Sequence, residues 1–460
     1  MIQLSYTTSY IIQAFPQEAL VLCSLLVIMP LVTLGTIPEG GVRWALMLVA
    51  TACAGLSAYA YPTELWLITS AGFTAYAKLW VSLFYVLVLF LAKDAGDKSC
   101  TISGFALIAV FLLVSSKDWF LFFMCLELLT LSSYCVIALS PTRRSLESVL
   151  KYFSAGAVST CFLLLGATLA YMACGSASFD VFPDEYYPAL GVSVFIFASL
   201  ALKAGSAPFH YWVADVYEGS PAFATSFLAV FVKVSTFLVI VRVLFGPLSD
   251  GAPFWGSAIQ VCAGVSMLVG CFGALFQKRV KRILAYSSVS NAGFLLSALA
   301  CGNFSGVEIA LVYLGFYCAS LAIFLRLLDV DSSPVTYVSD LSRLRASESS
   351  APLAALALFS MAGIPPLTGF WIKFFVLKEL IDSSFFILAT IAALTSVVSS
   401  FYYVGLVRSM YFETPALSVP YAGPFSGLGS AVAAAPFLAY PLAPDLIQDG
   451  AHLMARSLLI

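Results

Sequence analysis

Four charged residues stand inside stretches that are otherwise apolar: Glu127, Lys203, Lys233 and Lys373. Glu127 falls about eight residues into the run 119–139, and Lys233 lies near the middle of 222–245. Lys203 belongs to Leu202-Lys203-Ala204-Gly205-Ser206-Ala207-Pro208-Phe209-His210-Tyr211-Trp212-Val213, where a plain membrane anchor needs neither the lysine nor the glycine and proline that follow. Lys373 follows a stretch with the same punctuation, Ala362-Gly363-Ile364-Pro365-Pro366. A lysine at bilayer depth costs about 2.5 to 3.5 kcal/mol on insertion scales, so three of them point to use. Burial disfavours the charged form of an acid or an amine, so groups held at depth can exchange protons near neutral pH. The chemistry these residue types offer is proton transfer.

A lone carboxylate at Glu127 would be neutral or paired, and Lys203 is its natural partner. Such a pair acts as a switch: closing it tightens the lysine's hold on its proton, and opening it loosens that hold. The same residues would also serve as a static ion pair that fixes helix packing. Lys203 and Lys373, near helix breaks, could instead snorkel to the interface, whereas Lys233 is too deep to do so easily. His210 has the titration range of a relay and, equally, the geometry of a structural hydrogen bonder. Tyr286, Ser287, Ser288, Ser290 and Asn291 add polar groups to one further span, although serines in membrane helices often bond back to the preceding turn. Lys278-Arg279-Val280-Lys281-Arg282 reads most simply as an inside-facing anchor.

The elements that must hold these residues are membrane helices. The chain has 460 residues, 61% hydrophobic and 10% charged, against about 25% charged in soluble domains. A net charge of −2 gives no footprint for nucleic acid. Eleven cysteines scatter singly and there are two histidines, so no zinc, haem, copper or disulfide framework is expected. The residues 1–17 lack the features of a signal or transit peptide, so the first apolar run is expected to be retained. About fourteen runs are long enough to span, near 18–36, 43–61, 76–93, 102–116, 119–139, 148–174, 190–206, 222–245, 257–276, 283–301, 306–328, 352–380, 384–411 and 424–443. The stretch from Asp329 to Ser350 reads as a surface loop. Arg43, Lys93, Lys98, Arg143, Arg144, Lys151, Lys278, Arg279, Lys281, Arg282, Arg326, Arg343, Arg345 and Arg408 follow odd-numbered spans. Only Lys78, Lys117, Arg242, Lys378 and Arg456 lie on the other side, which puts the odd loops inside and both termini outside.

Ala204-Gly205-Ser206-Ala207-Pro208 and Ala362-Gly363-Ile364-Pro365-Pro366 mark an internal repeat in the seventh and twelfth spans. Five spans apart, the two copies cross the membrane in opposite directions. Paired, Gly/Pro-interrupted spans in an inverted repeat point to a transport site at the bilayer midplane. The expected organisation is an N-terminal three-helix segment (1–101), a first repeat (102–250), a second, inverted repeat (251–415), and a C-terminal helix and tail (416–460).

These stretches resemble the antiporter-like membrane subunits of respiratory complex I, and within that family most closely the N-type branch, chain 2. The passages that carry the resemblance are Leu126-Glu127-Leu128, Arg144-Ser145-Leu146-Glu147 with Lys151-Tyr152, and Pro208-Phe209-His210-Tyr211-Trp212 running into Asp215-Val216-Tyr217-Glu218-Gly219-Ser220-Pro221. Val280-Lys281-Arg282-Ile283-Leu284-Ala285-Tyr286-Ser287-Ser288, Ala362-Gly363-Ile364-Pro365-Pro366-Leu367-Thr368-Gly369-Phe370 with Lys373-Phe374, and Ser399-Ser400-Phe401-Tyr402-Tyr403 with Arg408 continue it. The match covers about 105–415 in the family's order. It implies an all-α integral membrane fold of about fourteen helices, two inverted five-helix repeats, and broken seventh and twelfth helices. It also implies proton-carrying roles for Glu127, Lys203, Lys233 and Lys373, with His210, Asn291 and Ser288 as auxiliary positions. Lys373, where the chain-4 type has glutamate, and an end shortly after span fourteen both favour chain 2. One departure is Asn291, where the family usually has histidine; an amide does not titrate near pH 7, so a relay there must run through water.

The resemblance implies a proton-translocating membrane-arm subunit of NADH:ubiquinone oxidoreductase. No redox centre is expected in this chain, NADH, FMN, iron-sulfur clusters and ubiquinone being handled by other subunits. Its expected partners are other complex I membrane subunits, including sister antiporter-like ones, and membrane lipids such as cardiolipin, with no nucleic acid. Two other readings remain: a subunit of a related multi-subunit cation/proton antiporter, and a structural membrane subunit whose charges form static pairs. The 38 phenylalanines and the cysteines within spans lean to the mitochondrial inner membrane over a bacterial plasma membrane.

Overall fold

In lipid no water satisfies backbone N–H and C=O groups, so apolar runs of this length fold as helices. The computed structural model describes residues 15–34, 40–57, 64–65, 68–69, 72–91, 95–183, 185–329, 335–413, 424 and 428–459. Residues 1–14, Lys93 and the 330–334 part of the expected loop lie outside the described residues. In chain order the helices are α1 (Pro16–Thr33), α2 (Gly41–Ser57), α3 (Gly72–Leu91), α4 (Asp97–Ser115), α5 (Trp119–Ala138), α6 (Arg143–Cys174), α7 (Tyr186–Ala204), α8 (Val213–Gly219), α9 (Ala222–Ser226) and α10 (Lys233–Phe245). They continue with α11 (Ala252–Leu275), α12 (Val280–Leu299), α13 (Phe304–Leu328), α14 (Ser350–Ala362), α15 (Thr368–Asp382), α16 (Phe386–Phe412), α17 (Leu428–Leu442) and α18 (Pro444–Leu459). A two-stranded antiparallel hairpin, Glu64–Leu65 with Ile68–Thr69, precedes α3.

Among the described residues ten helices are long and apolar enough to cross a membrane, and shorter apolar helices complete spans two, twelve and fourteen. The tenth span, α12, is less apolar because it carries Ser287, Ser288, Ser290 and Asn291, all buried. The seventh span is divided into α7 and α8 and the twelfth into α14 and α15. The fold is thus the expected all-α membrane class, with about fourteen spans and a broken seventh and twelfth.

Helix starts follow local chemistry. Asp118 accepts from the Phe120 and Leu121 N–H groups, Thr142 from Ser145 and Asn303 from Gly306, each capping orphan donors of a first turn. By contacts the chain forms two compact units. The first comprises Met1–Leu200, Phe231–Phe254 and Met454–Ile460; the second comprises Ala201–Val230 and Trp255–Leu453. These units do not follow the expected division at 250/251, because the first break belongs to the second unit.

The segment expected as a surface loop is partly structure. Val338–Ala346 forms a 3-10 helix that packs on α16. It buries Leu341, Ser342, Arg343 and Leu344, so Arg343 is no free loop charge. Its Asp340 carboxylate accepts from the Thr336 and Tyr337 N–H groups, and this is what the polar composition supplies.

Candidate functional site

The two breaks have the same backbone construction. Gly205 and Gly363 adopt left-handed φ values of 71° and 85°, which a side chain rarely tolerates. The N–H of each glycine donates to the carbonyl three residues back, Leu202 or Ser360, at 3.2 and 3.1 Å. The next N–H, of Ser206 or Ile364, donates five residues back to Ala201 or Phe359, both at 3.1 Å. This is the Schellman closure of a helix C-terminus, made twice. A further turn repeats as well, Phe209 N–H to Ser206 O at 2.9 Å and Leu367 N–H to Ile364 O at 3.1 Å.

What caps the freed carbonyls differs. At the first break the Trp212 indole donates to Leu202 O at 3.1 Å, Ser206 Oγ to Ala201 O at 3.0 Å, and the Ala207 N–H to Ser266 Oγ at 2.8 Å. At the second break the Lys373 ammonium donates to Met361 O at 2.9 Å and to Ala362 O at 3.0 Å. A cation at a helix C-terminus meets the negative end of its dipole. Lys373 therefore does not snorkel: it is 7% exposed, and Phe294 presents its ring 5.5 Å from Nζ.

In the register that aligns Gly205 with Gly363, Lys203 matches Met361 and Lys373 matches Asp215. The two lysines lie on opposite sides of their breaks and are not counterparts within the repeat. Lys203 ends α7, half-buried.

Lys373 and Asn291 line one cavity of about 20 Å³, shared with Tyr313, Tyr317, Ser360 and Ile372. That is room for about one water molecule. Asn291 is fixed within it, accepting from the Tyr313 hydroxyl at 2.6 Å and donating to Ser287 O at 2.7 Å. A second cavity, of about 140 Å³, lies toward the far end of α15 and is lined by Glu308, Ile372, Lys378, Glu379, Tyr440 and Gln448, among others. Glu379 is held there by Asn303 Nδ2 and Ser305 Oγ, both at 2.6 Å. Ile372 is the one side chain common to the two linings.

Of the auxiliary positions, Ser288 is buried, with the Tyr217 and Tyr317 hydroxyls facing it. Ser287 bonds back to Leu284 O at 2.8 Å, as membrane serines commonly do. His210 sits between α7 and α8, half-buried, its ring centroid 6.4 Å from that of Tyr286. The basic run is more than an anchor. Arg282 Nη2 lies 2.5 Å from Asp215 and its Nε 3.0 Å from Glu218, which Arg279 also pairs. Lys281 donates to Ser220 O at 2.9 Å and to Thr225 Oγ1 at 3.2 Å.

In the first unit Glu127 is half-buried on α5 and accepts from Thr160 Oγ1 of α6 at 2.5 Å. Lys233 is 5% exposed and follows a π-helical turn, Phe227–Val232. Such turns are rare and recur at functional sites, but no sequence signal marks this one. Sequence reasoning also misplaced Lys78 among the outer charges. It is buried in α3 and paired with Glu18 at 2.5 Å.

The comparisons with known proteins give the family and the fold. Residues 116–399 match the family described as NADH:quinone oxidoreductase/Mrp antiporter, transmembrane. NADH-quinone oxidoreductase subunit N of Rhodospirillum rubrum is 34% identical over 443 residues, covering 90% of this chain and 89% of the relative. The chain belongs to the NADH:quinone oxidoreductase/Mrp antiporter family. A chain of respiratory complex I from Thermus thermophilus with bound aureothin is similar in structure, with TM-score 0.80 and 27% identity, covering 94% of this chain and 98% of that one. A chain of the Mrp complex from Dietzia shares the fold at TM-score 0.83 and 18% identity, covering 96% and 97%. Both arms of the family's name are thus represented among structures of this fold.

Proposed function

We propose that this chain is the N-type membrane-arm subunit, chain 2, of an NADH:quinone oxidoreductase and that it moves protons through a Glu/Lys relay. The observation that carries the reading is Lys373, buried, clasping the broken end of α14 and sharing a one-water cavity with Asn291. Protons enter from inside by way of Glu127 and Lys203, pass to Lys233, and reach Lys373 before release outside. Asn291 does not titrate, so its part is to hold water beside Lys373; Ser288 and His210 assist the passage between. The electrons stay elsewhere, with NADH, FMN, iron-sulfur clusters and ubiquinone in other subunits. Partners are the sister membrane subunits and lipids, cardiolipin included.

The relatives cited are bacterial, which favours a bacterial plasma membrane; composition alone speaks for the mitochondrial inner membrane. Family membership also admits a cation/proton antiporter. Identity of 34% over 90% of the chain to an NADH-quinone oxidoreductase subunit, against 18% to the Mrp chain, supports the oxidoreductase. The test is Glu127→Gln and Lys373→Arg in the assembled complex, with proton uptake followed alongside NADH oxidation. Coupled translocation should fall while assembly persists; normal translocation in both variants overturns the relay. Purification of the chain with no NADH-oxidising activity would favour the antiporter.

A further inference from the structure

The buried ion pair of the first unit has no place in that route. Lys78 Nζ lies 2.5 Å from Glu18 Oε1, with side chains 3% and 8% exposed. Ser115 Oγ donates to the same oxygen at 3.4 Å. The other oxygen, Oε2, is buried with no hydrogen-bond partner among the described residues, as is Nε2 of Gln17 beside it. A pair that served only to lock helices would satisfy both oxygens, because a bare buried acceptor costs about 1 to 3 kcal/mol.

Lys78 belongs to a polar stripe. Thr74, Lys78, Ser82 and Tyr85 recur at helical spacing along α3, and all four are buried. At one end Thr74 lines a cavity of about 410 Å³ with Lys117, Asp180, Arg242 and Asp250, on the face that the lysine and arginine distribution puts outside. Arg242 closes on the end of α4, donating to Leu113 O at 3.1 Å and to Ser116 O, either side of the Ser115 that holds Glu18. At the other end the Tyr85 hydroxyl is 2.9 Å from Ser103 Oγ, and its ring meets Phe231 edge-on at 5.3 Å. Phe231 lies in the π turn that leads into Lys233, and α10, which Lys233 opens, packs on both α3 and α4.

We propose that Glu18 and Lys78 form a second proton-exchange site, an outward branch from Lys233 to the outer cavity through the N-terminal helices. The proposal rests on the relay reading of Lys233. A proton arriving at Glu18 Oε2 neutralises the carboxylate and removes the counter-charge of the Lys78 ammonium. Lys78 then gives a proton to water in the outer cavity, and the carboxyl proton passes to the Lys78 amine. One proton enters, one leaves, and the ion pair is restored.

The test uses the assembled membrane complex and reads protons moved per NADH oxidised. Lys78→Arg keeps the charge and the pairing, but a guanidinium does not release its proton. The branch predicts normal assembly with a lower proton-to-NADH ratio; an unchanged ratio overturns it. If that variant does not assemble, the double variant Glu18→Gln/Lys78→Met is read instead: a locking pair would leave the ratio whole in assembled complex and sink the branch, an exchange site would lower it. Lys233→Met runs in parallel. An unchanged ratio there refutes the relay itself, whereas a loss there with an unchanged ratio in Lys78→Arg refutes only the branch.

Discussion

Lys373 Nζ lies 2.9 Å from the carbonyl oxygen of Met361, a residue on the other side of the break in the same span. One ammonium group therefore does two things: it ties α15 to the end of α14, and it stands at the one-water cavity with Asn291. The closure of the twelfth span and the cavity beside Asn291 thus share one side chain.

The first prediction separates these roles. Lys373→Met leaves the Met361 and Ala362 carbonyls without their donor, at about 1 to 3 kcal/mol for each. The thermal midpoint of the complex should fall clearly. Lys373→Arg, which can still donate, should lose much less stability and yet fail to relay. A Lys373→Met complex as stable as the parent would rule out the clasp.

A second prediction concerns the two glycines. Alanine at either position must take a left-handed φ, at about 1 to 2 kcal/mol. A Cβ at Gly205 would meet Val213 Cγ2 at 2.7 Å, whereas one at Gly363 would meet Lys373 Cδ at 2.9 Å. Gly363→Ala should therefore depress proton translocation beyond its stability loss, while Gly205→Ala, which leaves Lys373 untouched, should do so less. Equal translocation in both at matched assembly would refute the distinction.

Thr160→Val removes the hydroxyl that donates to Glu127 at 2.5 Å and keeps the shape of the side chain. If that bond orients Glu127 for transfer, coupled turnover drops with assembly intact. Unchanged turnover would show that Thr160 only packs.

The cluster around Glu218 gives a prediction about salt. Glu218→Gln removes the carboxylate that Arg279 and Arg282 share. Both arginines are about a third exposed, so each lost pair costs only about 0.2 to 1 kcal/mol. The drop in thermal midpoint should shrink as ionic strength rises; a drop independent of salt would mean that packing, not charge, was lost.

The spans were legible as long apolar runs, and both breaks because glycine and proline interrupt those runs. Lys233 was legible by its distance from either end of its run. Glu18 and Lys78 were not, because each lies within a few residues of a helix start and reads there as an interfacial charge. Only the tertiary fold, in which α1 packs on α2 and α4, brings the two side chains together. Tyr313 was missed for another reason: in an apolar run a tyrosine counts as one more bulky side chain until a partner such as Asn291 is seen. The mismatch of Lys203 and Lys373 was available in the sequence, since matching Gly205 to Gly363 sets Lys373 against Asp215.

Ile372 is shared by the linings of the Lys373 cavity and the larger cavity that holds Glu308 and Glu379. A membrane stores voltage only if its wet spaces stay out of contact, and here a single branched hydrocarbon side chain stands where two of them meet. It is the dielectric of a very small capacitor. If the relay proposed above holds, moving Ile372 aside would join the two cavities and short the site at Lys373.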